Sequence, residues 1–200
     1  AQGHGAAQAG AQLVPQFVLM AVVSLLFGRL AAWFGLHAAL VTGYAMTGMA
    51  LCAIATFEPT TAHGQASALL MLLGTGMGLA VPATGMAVMS CVPAERAGIA
   101  SATMNALRQA GMSLGIALLG SLMGLRAVRQ FTATAQAAGQ PAVAAQARTL
   151  ILQPSSLLPG TQILAWYRGA MASGFGWAMA VAGVLALLAA LALYRQCRRA

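Results

Sequence analysis

Ser101, Asn105, Arg108 and Gln109 are the side chains of this chain best equipped for polar chemistry, and their spacing groups them. Wound at 3.6 residues per turn, they and Met112 fall on one helix face, within about 100° of arc. Arginine supplies a permanent charge with five donors, and the two amides and the hydroxyl both donate and accept. Such a set can hold a polar ligand, ordered water or a neighbouring helix. The residues around it are apolar, so its surroundings must justify it. A central arginine turned to lipid costs roughly 2.5–3.5 kcal/mol even on the lenient insertion scale. The stripe is therefore expected to face other helices or a water-filled cavity. A second reading of Arg108 stands beside this one. If the helix starts at Glu95, Arg108 lies only a few turns deep and can snorkel to the interface. For Asn105 and Gln109 the plainer alternative is hydrogen bonding between helices.

Two other patterns look catalytic and lack the context for it. Gly111-Met112-Ser113-Leu114-Gly115 has the spacing of a hydrolase nucleophile elbow, which needs a strand-to-helix turn and partner residues. Here it lies within an apolar helix, the chain has no Asp, and His4, His37 and His63 all fall outside the apolar stretches. Gly74-Thr75-Gly76-Met77-Gly78 resembles a nucleotide-binding loop, but Leu79 occupies the last glycine position and no strand precedes it. Glycines four apart instead let two helices approach closely in lipid. Gly74, Gly76, Gly78, Gly111 and Gly115 are thus expected to serve packing. Pro82 is expected to bend its helix by freeing a backbone carbonyl. Cys52, Cys91 and Cys197 show neither metal spacing nor a disulfide framework. No cofactor or metal is expected.

The elements that must position these residues are transmembrane helices. Five apolar stretches, at about 11–28, 38–57, 65–92, 98–125 and 169–194, approach or exceed the ~20 residues needed to cross a hydrocarbon core. Backbone polar groups in lipid must be satisfied within the segment, so the expected fold is all-α. Composition agrees: 60% of residues are hydrophobic and 6% charged, against about 25% charged in soluble domains. Mean hydropathy is +0.81. The net charge of +8 comes from ten Arg and two acids, Glu58 and Glu95. The arginines stand singly between apolar runs and form no basic stripe with interleaved aromatics, which argues against nucleic acid. They read as topology signals. The Arg195–Arg199 tail is the densest positive cluster, so it is expected in the cytoplasm. Alternation then places Gly28–His37 and Pro93–Ala97 inside, with Glu58–Gly64 and the long 126–168 segment outside. Within that outer segment Ala127–Ala138 and Ala142–Leu152 have helical composition, separated by Gly139-Gln140-Pro141.

In order and spacing the chain resembles the C-terminal half of a major facilitator superfamily transporter of the fourteen-helix drug:proton antiporter branch. Gly3-His4-Gly5-Ala6-Ala7-Gln8-Ala9-Gly10, followed by Pro15, is similar to the junction into that branch's tenth helix. Gly28-Arg29-Leu30-Ala31-Ala32-Trp33-Phe34-Gly35-Leu36-His37 resembles the cytoplasmic signature loop G-x-L-a-D-r-x-G-r-r. Gly28, Leu30 and Gly35 match, while Ala32 replaces the acid and Trp33, Leu36 and His37 replace the bases. The strongest match is Pro93–Gly120. There Ala97-Gly98-Ile99-Ala100-Ser101, Asn105, Arg108-Gln109 and Gly115-Ile116-Ala117 look like the thirteenth helix, with Met112 in place of a paired glycine.

The resemblance implies efflux of small, amphipathic or drug-like molecules across a bacterial inner membrane, coupled to protons and working by alternating access. It implies Ser101, Asn105, Arg108 and Gln109 as lining of the cavity or its gate. Such a half has six helices in two inverted repeats, so five spans suggest a fragment lacking one helix and the N-terminal half. The expected partners are the lipid bilayer, a small-molecule substrate, protons and that missing half. No acid lies in an expected span, so a titrating carboxylate would belong to the absent part. A non-transporting membrane subunit or scaffold is the alternative, and an intramembrane enzyme ranks third.

Overall fold

A computed structural model describes residues 6–57, 63–153 and 162–197. It is helical throughout, with no strand among the described residues. The long helices are α1 (Ala6–Phe34), α2 (Leu36–Ile54), α3 (His63–Ser90) and α4 (Ala97–Ala137). Two short ones, α5 (Pro141–Ala145) and α6 (Ala147–Leu152), precede α7 (Gln162–Cys197), and a 3-10 turn at Ala94–Arg96 leads into α4. Five of these helices are long and apolar enough to cross a membrane. Apart from the polar stripe of α4, they are apolar nearly all round, as suits helices surrounded by lipid and by one another.

The spans lie in the neighbour order α4, α7, α2, α3, α1, so sequence neighbours are not always spatial ones. Small residues set the approaches. Gly74 and Gly78 share a face of α3 and meet α1, where a methyl at either would strike the Gln16 or the Met20 carbonyl. Gly76 points the other way, and its methyl would fall 2.7 Å from the Thr47 nitrogen of α2. The Gly-x-Gly-x-Gly run thus lets one helix be sandwiched between two. On the far side of α2, a methyl at Gly183 of α7 would lie 2.8 Å from the Cys52 nitrogen. Pro82 lies inside α3, which runs on past it. With no N–H, it leaves the Gly78 carbonyl without its usual helical partner.

Several boundaries differ from the sequence expectation. The Gly28–His37 segment is not an extended loop. Gly28, Arg29 and Leu30 lie within α1, and the connection to α2 shrinks to Gly35. Gly35 has φ 82° and ψ 152°, a conformation open to residues without a Cβ. Nothing between Arg29 and Phe34 breaks a helix, so the helix continues until that glycine. Likewise Ala127–Ala137 is a continuation of α4, not a separate helix. The end of α4 is a Schellman turn. The Gln140 N–H donates to the Ala135 carbonyl at 2.9 Å and the Gly139 N–H to the Gln136 carbonyl at 3.0 Å. Gly139 has φ 71°, and Pro141 opens α5. The last span begins at Gln162 rather than near Gly169. Expectations for residues 1–5, 58–62, 154–161 and 198–200 lie outside the described residues, among them His4, Glu58 and the last arginines.

The two ends of the bundle differ. At one, Phe27, Ala39, Leu40 and Ala83 are buried together, with Leu36, Tyr44 and Leu193 against them. This places the Gly35 turn and the end of α7 at the same end. The opposite end is elongated. At 41 residues α4 is about 60 Å long, roughly twice a hydrocarbon core. Its second half, α5, α6 and the start of α7 make a small cap with its own core of Ala127, Phe131, Ala147, Ile151 and Ala170. Phe131 is 0% exposed, and Trp166 meets it edge-on, centroids 6.4 Å apart.

Candidate functional site

The polar stripe lies on the first half of α4, which is the barest part of the fold. No residue from Ala97 to Arg126 is buried. Ser101 is half-buried, and Asn105, Arg108, Gln109 and Met112 are exposed. Here α4 makes few contacts with α3, and its firm packing on α7 comes later. Gly111 and Gly115 also face open space: a Cβ added to either meets nothing within 4 Å.

Between α2, α3 and this half of α4 lies a cleft of about 760 Å³. The structure brings Arg108 to it, but not Ser101, Asn105 or Gln109. The reason is helical phase. Ala100, Thr103, Met104 and Leu107 are the other α4 residues on the cleft. At 100° per residue, the Ser101–Asn105–Gln109 line is turned about 150° from the centre of that face. Arg108 stands at the boundary and can serve both sides.

The opposite walls carry polar groups that the sequence does not single out: Tyr44 and Thr47 on α2, and Thr84 on α3. The Thr84 hydroxyl donates to the Ala80 carbonyl at 2.7 Å. Its single proton is thereby committed, so the Tyr44 hydroxyl, 3.3 Å away, is the donor to the Thr84 oxygen. The Thr47 hydroxyl donates to the Gly43 carbonyl at 2.9 Å. These groups therefore present oxygen lone pairs to the cleft, and Arg108 is its strong donor. The available signal is a tyrosine one turn from a threonine in the middle of an apolar stretch. Threonines in such helices so often bond their own backbone that it does not stand out.

Arg108 makes no hydrogen bond or ion pair with the rest of the described chain. Among the described residues Glu95 is the only acid, and it lies outside the cleft. No three His, Cys, Asp or Glu converge among them either. A second opening, of about 660 Å³, lies at the capped end between α2, α4 and α7, where Phe57, Arg126, Ser173 and Trp177 line it. Both openings are lined mainly by apolar side chains with a few polar groups, and each carries a single arginine.

The profile described as Major Facilitator Superfamily matches residues 1–116. The chain is 31% identical over 199 residues to the tetracenomycin C resistance and export protein of Streptomyces glaucescens, covering 94% of this chain and 37% of that protein. It is 29% identical to the methyl viologen resistance protein SmvA of Salmonella typhimurium, covering 94% of this chain and 39% of the relative. To the multidrug transporter protein MdtP of Bacillus subtilis it is 25% identical, covering 62% and 23%. The chain thus spans less than two fifths of the length of these relatives. No solved structure matches it.

Proposed function

The chain belongs to the Major Facilitator Superfamily, and on that premise we propose that it forms part of an exporter of small, drug-like molecules. The exporter works by alternating access and is driven by protons. Arg108 carries this reading. It stands between a cleft and an exposed polar stripe, on the half of α4 that the described chain leaves largely exposed. A second half of the transporter, packed on that open face, would enclose a path with Arg108, Ser101, Asn105 and Gln109 on its wall. The helices α1–α4 and α7 hold no carboxylate, and Glu95 sits at the start of the fourth span, so on the proton-driven reading the titrating acid within the membrane belongs to the rest of the transporter. The resistance and export names of the relatives support efflux as the direction.

The protein sits in the bacterial inner membrane with its C-terminal tail in the cytoplasm. Support comes from the end shared by the Gly35 turn and Leu193, where Arg29, Arg96 and Arg195 also stand close to span ends. Cys197 in a single-cysteine background tests the orientation. Modification by an impermeant reagent in sealed cells would reverse it.

The exporter reading is tested with Arg108→Ala in the full-length protein. Transport into inverted vesicles should fall at least tenfold while the amount of folded protein stays within about twofold. Arg108→Lys should recover part of the loss, because a point charge replaces a planar fork. Full transport by the alanine variant would leave Arg108 only an interfacial role. The chain 1–200 alone should give no transport above empty liposomes.

A further inference from the structure

The cleft beside Arg108 has a chemistry that selects a kind of ligand for the proposed exporter, and the ligand class rests on that exporter reading. Its volume, about 760 Å³, lies in the range of small-molecule pockets. Its walls are mostly apolar, and Met77 and Met104 line it from α3 and α4. Thioethers are polarizable, adapt to irregular shapes and contact aromatic rings favourably. The polar groups are unevenly committed. Thr47, Thr84 and Tyr44 spend their protons within the protein. Arg108 spends none of its donors within the described chain, and it is the only charged residue on the cleft among the described residues.

We infer that this cleft binds aromatic molecules carrying an anionic oxygen, a carboxylate or a phenolate, and disfavours organic cations of the same size. The ring lies among Met77, Met104 and the apolar wall. The anionic oxygen takes the Arg108 guanidinium, in a charge-assisted hydrogen bond that is stronger than a neutral one. A cation placed there meets Arg108 and finds no carboxylate on the walls to offset it. A neutral molecule with an accepting oxygen falls between the two.

Three probes sharing one fluorescent ring separate these cases: anthracene-2-carboxylate, anthracene-2-carboxamide and 2-anthryltrimethylammonium. Binding to the full-length transporter in proteoliposomes is read by fluorescence anisotropy, and counterflow of each probe is read separately. The carboxylate should bind about tenfold more tightly than the amide, with the ammonium weakest. Arg108→Gln should bring the carboxylate down to the level of the amide and change the amide by less than about threefold. Arg108→Lys, which keeps the charge, should retain a preference for the carboxylate. Equal losses for all three probes in Arg108→Gln would overturn the inference. So would an ammonium that binds wild type as well as the carboxylate, or no binding of any probe. The binding order without counterflow would uphold the ligand class and count against the exporter reading instead.

Discussion

The two halves of α4 belong to one helix and live in opposite surroundings. From Met123 onward it is seated: Ala127, Phe131 and Ala135 are each 0% exposed. They recur every four residues and so form one stripe. Gly174 of α7 lies so close to the Met123 carbonyl that a methyl there would come within 2.5 Å. From Ala97 to Leu122 nothing is buried. That half carries large apolar side chains in the open, such as Ile99 at 72% and Ile116 at 73%, together with Asn105, Arg108 and Gln109. One half has the small and aromatic residues that fix a helix to its neighbours. The other exposes polar residues beside large apolar ones. Buried packing residues and exposed polar residues are thus segregated along a single helix, and substitutions in the two halves should behave differently.

The largest effect is expected in the seated half. Phe131 is the largest fully buried side chain described and anchors the cap through Trp166. Phe131→Ala should destabilise the cap by about 3–5 kcal/mol. Trp166 fluorescence, with the other tryptophans replaced, should shift to the red, and proteolysis near α5 and α6 should accelerate. An unchanged emission spectrum would mean that the cap core is not closed. Next comes Gly174→Ala. Its methyl would meet the Met123 carbonyl, a backbone atom that cannot rotate away, and Ala127 Cβ at 3.3 Å. Forcing α4 off α7 should cost about 1–3 kcal/mol. A cysteine pair across the α4–α7 contact should then cross-link more slowly than in the parent protein.

What the sequence discloses follows the same division. The five spans are legible because lipid admits no other way to satisfy a backbone, so apolar length alone reports them. The spacing of Gly74 and Gly78 suggests close packing, and α1 approaches both of them, at Gln16 and Met20. Helix ends are less legible. Only Gly35 among residues 28–37 compels a turn, and the residues before it are acceptable helix formers, so a loop over the whole signature-like segment is too long. The cleft is not legible. Helices that are apolar all round do not announce which side meets which neighbour, and the order α4, α7, α2, α3, α1 cannot be deduced from periodicity. Tyr44 and Thr84 therefore look unrelated in the sequence, although the fold brings them to 3.3 Å. The same lack of neighbour information groups Arg108 with Ser101, Asn105 and Gln109, when its position also borders a different face.

A smaller effect tests the cleft wall. Tyr44→Phe removes the donor to Thr84 but keeps the ring. The loss should be about 0.5–1.5 kcal/mol, the net worth of one hydrogen bond. The Thr84 oxygen is left without that donor, while its own bond to Ala80 survives. Stability should therefore change little. If the cleft takes ligand as inferred, binding of anthracene-2-carboxylate should also change far less than in Arg108→Gln. A Tyr44→Phe effect as large as that of Arg108→Gln would move the centre of recognition from α4 to α2.

The smallest expected effect on the fold is also the sharpest test of the open half. Gly111 and Gly115 have nothing within 4 Å of an added Cβ, although their spacing suggests close packing. In the chain 1–200, Gly111→Ala and Gly115→Ala should therefore alter thermal stability by no more than about 0.5 kcal/mol. Any change should favour the alanines, which are better helix formers. The same substitutions in the full-length transporter discriminate further. If the other half packs against this face, a methyl at Gly111 or Gly115 enters that contact, and transport should fall although the chain 1–200 is indifferent. If both proteins are indifferent, this face of α4 meets lipid. At 100° per residue Gly111 and Gly115 lie about 100° from the centre of the Ser101–Asn105–Gln109 line, on the side of Arg108 and the cleft, so the cover over the polar stripe itself is tested by substitutions at Asn105 and Gln109. A loss of stability already in the chain 1–200 would instead show that α4 packs more closely on α3 than the open cleft describes.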